Sequence, residues 1–391
     1  MDLDGFRWLL TGAGQQLLAD ATAGTGDELA LGERLRRRAS PDRVATALTQ
    51  ADLRRRARAK FGDDADRMYF TPDGLEQATR RGVADHRAAR VRAAGLGTVI
   101  DLGCGIGGDL VAFARAGLTV AGVDLDPVRV AVAEANLDSL GLGGAVDVAD
   151  AGHVDHSPFA LAFADPSRRG ARGRSFRADD WTPPWPFVAG LLTRDSCVKV
   201  APGIPHELVP EDVEAEWVSD RGEVKEAALW SGRLATVRRR ATVIGERGLA
   251  TLTDRDPGTA ATTPVGRFLY EPDGAVIRAG LVSAVAAGVE GGLLDPHLAY
   301  VGSDAAYRTP FARCFRVLEE LPFREKQLRA ALRERDVGTL TIMKRGVSVV
   351  PDQLRRRLGL RGDRAATIVL TRVGGRGTCL LVEPLGRTAG A

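Results

Sequence analysis

The stretch VIDLGCGIGGDLVAFARAGLTVAGVDLDPVRVAVAEANL, residues 99–137, decides the fold class. It begins with a short apolar run, passes through a glycine-rich turn, continues in a helical pattern and reaches a second apolar run at residues 119–123. Short apolar runs that alternate with helical patterns are typical of β-α-β units. We therefore expect parallel strands here, with the glycine-rich turn at the carboxyl end of the first strand.

The same rhythm extends on both sides of the quoted stretch. It predicts an α/β domain with helices on both faces of a mostly parallel sheet. The strands are expected at residues 98–100, 119–123, 145–148, 159–164, 198–200, 227–229 and 241–244.

The two ends of the chain have other patterns. Residues 1 to about 90 are predicted to be helical, and Ser40-Pro41 and Thr71-Pro72 have the cap-plus-proline signature of helix starts. Residues 251–264 are rich in Thr, Asp, Gly and Pro, which is typical of a linker.

After this linker the pattern predicts a small α+β module. We expect helices at 328–335 and 354–358, a strand at 339–343, and a hairpin of 367–370 with 379–382 around Gly374-Gly375. The predicted division is a helical N-terminal region (1–68), a central α/β domain (69–250) and a C-terminal α+β domain (262–387).

Composition limits the classes of protein. The 391 residues have a net charge of only +3, so any nucleic-acid binding would depend on local patches. No apolar run is long enough to cross a bilayer, and MDLDGFRWLL has acids where a signal peptide needs bases. The four cysteines form no CxxC pair, which indicates neither a disulfide framework nor a metal site. We expect a cytoplasmic protein with no membrane and no metal partner.

The glycine-rich turn points to a nucleotide-like cofactor. Glycines at 103 and 105 permit a tight turn and close approach of a ligand to the backbone. A nicotinamide cofactor would bring a pyrophosphate to this turn, and Asp101 would repel it. The ammonium and sulfonium groups of S-adenosylmethionine instead suit an acid at this position.

Two later acids extend the candidate cofactor site. Asp124 ends the second strand and is the better candidate for accepting ribose hydroxyls, because Asp126 precedes a proline and suits a helix cap. Asp150 follows the third strand. It has two roles that we expect about equally: contact with the adenine amine, or a structural role as a helix cap or solvated loop acid.

At this point the quoted stretch resembles the class I S-adenosylmethionine-dependent methyltransferases, which implies a Rossmann-like core with a mostly parallel seven-stranded sheet. The core looks most like the trimethylguanosine-synthase type of RNA guanine-N2 methyltransferase. Phe70-Thr71-Pro72 followed by His86, and CVKVAP at 197–202, are similar to elements of that group. The resemblance adds Thr71 and Gly107 to Asp101, Gly103, Gly105, Asp124 and Asp150 as cofactor-binding residues. The C-terminal KQLRAALRERDVGTLTIMKRGVSVVPDQLRRRLGLRGD resembles a THUMP-like domain; THUMP domains are RNA-binding modules.

The fourth predicted strand ends in FADPSRRG, residues 163–170. In the resembled group this strand end is Asn/Asp-Pro-Pro-aromatic, so Asp165 and Pro166 carry over by position. Ser167 and Arg168 depart from that motif by replacing the second proline and the stacking aromatic. The candidate catalytic residues are Asp165, Pro166, Ser167 and Arg168. We expect Asp165 to orient an acceptor amine, and Arg168 or Arg169 to bind base or phosphate, with a solvated pair that caps a helix end as the alternative for the two arginines. Trp181 or Trp185 is a candidate for the missing stack, although such tryptophans more often cover a sheet edge.

The favoured function is methylation of a nucleobase amine in structured RNA, either rRNA or tRNA. Two alternatives stay open at this stage: a small-molecule methyltransferase, and a non-catalytic S-adenosylmethionine-binding protein associated with RNA. The arginine clusters at 36–38, 54–56 and 355–357 are candidate phosphate contacts, but solvated helix faces explain them as well.

Overall fold

The structure, a computed structural model, describes residues 2–24, 28–168, 181–182 and 185–385. The chain divides into two compact units. The first comprises Met1–Glu214 and Ala227–Thr236, and the second comprises Ala215–Glu226 and Val237–Ala391. The three-part division stays a prediction. In the described part of the chain, no helix has both the length and the apolar character needed to cross a membrane.

The first unit contains the following helices: α1 (Leu3–Leu9), α2 (Gly12–Ala23), α3 (Glu28–Arg36), α4 (Pro41–Phe61), α5 (Pro72–Gln77), α6 (Arg81–Ala93), α7 (Gly108–Arg115), α8 (Pro127–Leu140) and α9 (Trp185–Leu191). Short 3₁₀ turns lie at Gly62–Asp66, His206–Leu208 and Gly232–Leu234. The Thr71 hydroxyl caps α5 by accepting from Gly74 N, as its cap signature predicts. Ser40 occupies the cap position of α4 without a side-chain hydrogen bond.

The strands of the first unit are β1 (Thr98–Leu102), β2 (Thr119–Asp124), β3 (Ala145–Val148), β4 (Leu161–Ala164), β5 (Ser167–Arg168), β6 (Trp181–Thr182) and β7 (Ser196–Val200). Parallel pairing gives the order β3-β2-β1-β4-β7. Residues 227–231 then pair antiparallel with β7. The α/β core with its helical N-terminal region is therefore confirmed.

The strand order of the parallel sheet reverses between β1 and β4. From β1 the chain moves outward through β2 and β3, and then returns to place β4 on the other side of β1. Such a reversal of strand order opens a crevice at the carboxyl ends of the adjacent strands, where ligands of open α/β sheets bind. Asp101 is the next-to-last residue of β1 and Asp165 directly follows β4, so both acids lie at the carboxyl ends of these strands.

Hydrophobic cores among the described residues stabilise the first unit. One lies between the sheet and its helices and includes Val99, Phe113 and Phe163. Another joins the N-terminal helices to Ile106 of the glycine-rich turn and Val132 of α8. The N-terminal helices therefore share a hydrophobic core with the glycine-rich turn.

The second unit contains the strands β8 (Glu214–Asp220), β9 (Glu223–Ser231), β10 (Arg239–Gly245), β11 (Gly248–Thr253), β12 (Phe268–Pro272), β13 (Gly292–Asp295), β14 (Leu298–Ser303), β15 (Ala312–Leu321), β16 (Val337–Lys344), β17 (Arg364–Val373) and β18 (Arg376–Pro384), of which Glu214 and residues 227–231 belong to the first unit. Its helices are α10 (Gly274–Arg278), α11 (Val282–Gly288), α12 (Glu325–Glu334) and α13 (Pro351–Leu358).

The C-terminal part of the second unit is built on one sheet of order β13-β14-β12-β15-β18-β17-β16. The predicted helices, the strand at 339–343 and the hairpin around Gly374-Gly375 are confirmed as α12, α13, β16 and β17-β18. The sequence interpretation missed β8 and β11 to β15, and residues 251–253 of the predicted linker belong to β11. In β8 the buried acids Glu214 and Glu216 interrupt the apolar pattern expected of an interior strand.

Candidate active site

The glycine-rich turn follows β1 and has the backbone geometry that its sequence predicts. Gly103, Gly105 and Gly107 have φ values of +106°, +55° and +80°. Residues with a Cβ rarely adopt this region, so the turn depends on glycine. At Gly107 a Cβ would also lie 3.1 Å from the Ala133 Cβ, because the turn packs closely on α8. The turn is therefore narrow, and along it Gly103 is exposed, Gly105 is half-buried and Gly107 is buried.

Asp124 at the end of β2 holds this turn in place. Its Oδ2 accepts from Gly105 N at 3.0 Å, and its Oδ1 accepts from Asp126 N at 2.9 Å. Each carboxylate oxygen has a second lone pair, so Asp124 retains the capacity to accept from a ligand. Asp126 itself accepts from Val128 N at 2.8 Å and caps α8. The predicted cap role of Asp126 is thus confirmed.

Asp101 is the buried acid of the site. Only 2% of its surface is exposed, and among the described residues its Oδ1 has no hydrogen-bond partner. Burial raises the pKa of Asp101 well above its usual range, and the carboxylates of Asp109 and Asp165 raise it further. A buried carboxyl group in this position is stabilised by a cation. The site therefore fits the positively charged aminoacyl-sulfonium part of S-adenosylmethionine.

Asp165 follows β4 and is bound by a lysine from the neighbouring strand. Lys199 Nζ donates to Asp165 Oδ2 at 2.6 Å and to Thr79 Oγ1 at 3.2 Å. The Asp165 side chain is 35% exposed, whereas that of Lys199 is 16% exposed. The pair presents a fixed, partly accessible carboxylate at the crevice.

The network continues into the protein interior. Thr79 Oγ1 donates to Asp109 Oδ2 at 2.8 Å, and the other Asp109 oxygen forms an ion pair with Arg87. Arg87 is 1% exposed and lies 4.7 Å from the ring centre of Phe163. The sequence interpretation missed Lys199, Thr79, Asp109 and Arg87 as site residues, although Lys199 is one of only five lysines in the chain.

The remaining predicted residues differ in how they are placed. Asp150 lies in a turn where its Oδ1 accepts from Gly152 N at 2.9 Å, and its side chain is 52% exposed. Pro166 is half-buried. Ser167 and Arg168 form the two-residue strand β5, which pairs with β6 through their backbones. Their side chains, and Arg169 entirely, lie outside the described residues.

The arginine clusters mix paired and exposed side chains. Arg54 donates to Met68 O at 2.8 Å, so it has a role within the protein. Arg55 binds Asp52, and Arg38 forms an ion pair with Asp20. Arg357 binds Glu325 at 2.9 Å but remains 52% exposed. These contacts favour a structural role for Arg54, while phosphate contact by the exposed arginines stays a prediction.

The positions of Cys104 and Cys197 do not favour either cysteine as a catalytic nucleophile. Cys104 and Cys197 are both buried, and burial raises the pKa of the Cys104 thiol. A buried thiol with a raised pKa is a poor nucleophile at neutral pH. Cys197 lies near the start of β7, away from its carboxyl end, as expected for a small buried hydrophobic residue.

Comparison with known proteins relates the chain to methyltransferases. Family models match at three places: a methyltransferase domain over residues 99–165, a THUMP domain-like family over 312–384 and a domain of unknown function over 2–57. A solved structure of a putative methyltransferase from Porphyromonas gingivalis W83 has a TM-score of 0.72 and 22% identity, and the match covers 98% of each chain. This similarity to a solved structure shows that the two proteins share a fold.

Close sequence relatives identify the family. Two proteins of Mycobacterium tuberculosis, from strains CDC 1551 and H37Rv, are each named an uncharacterized S-adenosylmethionine-dependent methyltransferase. Each is 40% identical over 348 residues, which cover 85% of this chain and 94% of the relative. Together with the glycine-rich turn and the buried acid at the end of β1, this extent of identity makes the chain a class I S-adenosylmethionine-dependent methyltransferase with a C-terminal THUMP-like domain.

Proposed function

We propose that this enzyme methylates a nucleobase amine in structured RNA, rRNA or tRNA, in the cytoplasm. The observation that carries the proposal is the Asp165 carboxylate, which is partly exposed at the end of β4 and held by Lys199. It directly follows β4, the neighbour of β1, and β1 carries the proposed cofactor acid Asp101 near its end. An acceptor amine that donates to Asp165 would thus lie in the same crevice as the cofactor.

The cofactor would be held by residues at the ends of the first three strands. Asp101 would compensate its positive charge, the backbone at Gly103, Gly105 and Gly107 would line it closely, and Asp124 would accept from the ribose hydroxyls. We place Thr71 and Asp150 at the edges of the same site. When bound, S-adenosylmethionine supplies an electrophilic methyl group attached to a sulfonium.

The chain's own residues then have two tasks. Asp165 accepts a hydrogen bond from the acceptor amine and so aligns its lone pair, which is the main requirement of an in-line displacement. As the new carbon–nitrogen bond forms, the nitrogen loses a proton, and the Asp165 carboxylate can accept it. Lys199 limits the orientations of Asp165 by binding one of its oxygens. Pro166 stiffens the chain directly after the acid.

RNA as the acceptor is supported by the THUMP domain-like match over residues 312–384. The exposed arginines of α13 and α4 are suited to phosphate contacts, because guanidinium groups bind two phosphate oxygens at once. Ser167 and Arg168 replace the proline and aromatic of the related motif. We propose that Arg168 contacts base or phosphate at this position, so the acceptor base differs from a cap-like guanosine.

The proposal is tested with RNA from cells that lack the gene. Total RNA is incubated with the protein and S-adenosylmethionine labelled in its methyl group, and digested nucleosides are identified by mass spectrometry. A labelled nucleoside that is absent when Asp165→Ala replaces the wild-type enzyme supports the proposal. Label in small metabolites alone would establish a small-molecule methyltransferase, and cofactor binding without any transfer would establish a non-catalytic protein.

A further inference from the structure

We propose that the N-terminal helices are the support of the cofactor site, and that Gln50 of α4 is its central positioning residue. These helices cover most of residues 2–57, which match the domain of unknown function. The proposal rests on the proposed placement of the cofactor beside Thr71 and the glycine-rich turn. It does not depend on the identity of the acceptor.

Gln50 binds both backbone groups of Phe70. Its Nε2 donates to Phe70 O at 2.9 Å, and its Oε1 accepts from Phe70 N at 2.9 Å. The Gln50 side chain is buried, with 1% of the residue exposed. Because buried backbone groups must be paired, this amide does for Phe70 what a neighbouring strand would do. It therefore fixes the residue that directly precedes Thr71.

Other side chains of α4 bind the same segment on either side of Phe70. Arg54 Nε donates to Met68 O at 2.8 Å. Lys60 Nζ donates to three carbonyls at the end of α5, those of Leu75, Glu76 and Ala78, at 2.8, 2.6 and 3.0 Å. One face of α4 thus holds the whole segment from residue 68 to residue 78.

A second buried amide joins this segment to the glycine-rich turn. Asn136 of α8 accepts from Tyr69 N at 2.6 Å, and its Nδ2 donates to Tyr69 O at 3.1 Å. The same Nδ2 donates to Ile106 O, in the turn itself, at 2.8 Å. Tyr69 and Phe70 are consequently held between an amide of the N-terminal helices and an amide of the methyltransferase core.

Packing also joins α5 to the glycine-rich turn. A Cβ added at Gly74 of α5 would lie 2.4 Å from Ile106 Cγ2, so the first turn of α5 contacts the glycine-rich turn directly. Ile106 shares a hydrophobic core with Phe61, Phe70 and Leu75. A site held by packed and hydrogen-bonded neighbours loses affinity when those neighbours are loosened. The position of the turn therefore depends on α4.

The test separates the hydrogen bonds of Gln50 from general stability. Gln50→Met keeps the shape and loses both bonds to Phe70, whereas the matched control Val44→Ala keeps those bonds and creates a cavity in the core on the same helix. Affinity for S-adenosylhomocysteine is measured by titration calorimetry at a temperature where circular dichroism shows every variant folded. We expect Gln50→Met to bind about five- to tenfold more weakly, the effect of one or two net hydrogen bonds. We expect Val44→Ala to bind like the wild type.

Lys60→Met is a second variant for the case in which Gln50→Met does not fold, and it should also weaken binding several-fold. Hydrogen exchange supplies an independent measurement, since S-adenosylhomocysteine should slow exchange at residues 68–78 in the wild type. Equal affinities of Gln50→Met or Lys60→Met and the wild type would overturn the inference, as would an equal loss in Val44→Ala. Because no acceptor is present, a failure to label RNA would leave these results in place.

Discussion

The Lys199 ammonium lies 2.6 Å from Asp165 Oδ2, at the carboxyl ends of two adjacent parallel strands. Ala164 of β4 is the register partner of Val198 of β7, so the next residue of each strand brings the acid and the base together. The pair thus follows directly from strand register. Lys199 thereby fixes the direction of the Asp165 carboxylate.

Substitution of Asp165 should separate catalysis from cofactor binding. We expect Asp165→Asn and Asp165→Ala to lower the rate of methyl transfer by at least about 100-fold, because proton uptake and acceptor orientation are lost. Affinity for S-adenosylhomocysteine should change by less than about twofold, which is no more than the loss of one weak contact would cause. Label transfer under single-turnover conditions measures the first quantity and calorimetry the second. Wild-type turnover in either variant would exclude the proposed role.

Substitution of Lys199 should lower the rate of methyl transfer, because Lys199 holds Asp165 in position. In Lys199→Met the carboxylate loses its charged partner, and we expect a fall of about 10- to 100-fold in the rate of transfer, typical of a mispositioned catalytic group. Lys199→Arg keeps the charge and should recover part of that rate. Comparing the KM for S-adenosylmethionine with kcat provides the control, since only kcat should fall. A rise in that KM alone would instead assign Lys199 to the cofactor site.

The buried Asp101 carboxyl group should lower the free energy of unfolding of the ligand-free protein and strengthen cofactor binding. Its folded pKa is raised, so its contribution to stability is complete below its unfolded pKa and is lost as pH rises through the folded value. Asp101→Asn should therefore raise the free energy of unfolding at pH 7, measured by urea denaturation, by about 1–2 kcal/mol, because a neutral amide of the same size costs less to bury than an ionisable carboxyl group. The same variant should bind S-adenosylmethionine at least about tenfold more weakly, because the carboxylate that compensates the positive charge of the cofactor is lost; each 1.4 kcal/mol is tenfold.

Proton release gives a further measurement on Asp101. Binding of the cationic cofactor should ionise the acid, so affinity should increase as pH rises through the raised pKa and level off above it. Calorimetry in two buffers of different ionisation enthalpy should detect protons released by the wild type and fewer released by Asp101→Asn. Identical proton release in both proteins would show that another group titrates.

The Arg87–Asp109 ion pair should be a strong determinant of stability. Both residues are largely buried, so Arg87→Met leaves the Asp109 carboxylate without its guanidinium partner. We expect a loss of about 3–5 kcal/mol in the free energy of unfolding, measured by urea denaturation. The double variant Arg87→Met, Asp109→Asn should regain part of this loss, because it removes the unpaired charge. Additive effects of the two substitutions would contradict a direct pair.

Much of the core could be predicted because its signals are local. The alternation of apolar runs and helical patterns, the glycines of the turn and the caps at Thr71 and Asp126 each depend on residues close in sequence. The acids at 101, 124 and 165 were predicted at strand ends: Asp101 is the next-to-last residue of β1, Asp124 is the last residue of β2, and Asp165 directly follows β4. The strands β12 to β15 were missed; β15, for example, has exposed and half-buried residues along most of its length, which weakens the apolar signal.

The site's supporting residues were not predictable in the same way. Gln50 lies 20 residues from Phe70, and Asn136 lies 67 residues from Tyr69. Nothing in the local pattern distinguishes such a buried amide from a solvated one on a helix surface. Burial of the partner backbone decides the difference, and burial is a property of the folded chain.

By itself the sequence determined that strands alternate with helices and that the glycine-rich turn follows the first strand and precedes a helix, since backbone preference and apolar period are local properties. It also determined which acids end the strands. The tertiary structure alone decided that Lys199 meets Asp165, that Arg87 meets Asp109, and that α4 holds the segment before Thr71. Those contacts depend on strand order, register and helix packing, and these are selected by the burial of apolar surface throughout the chain.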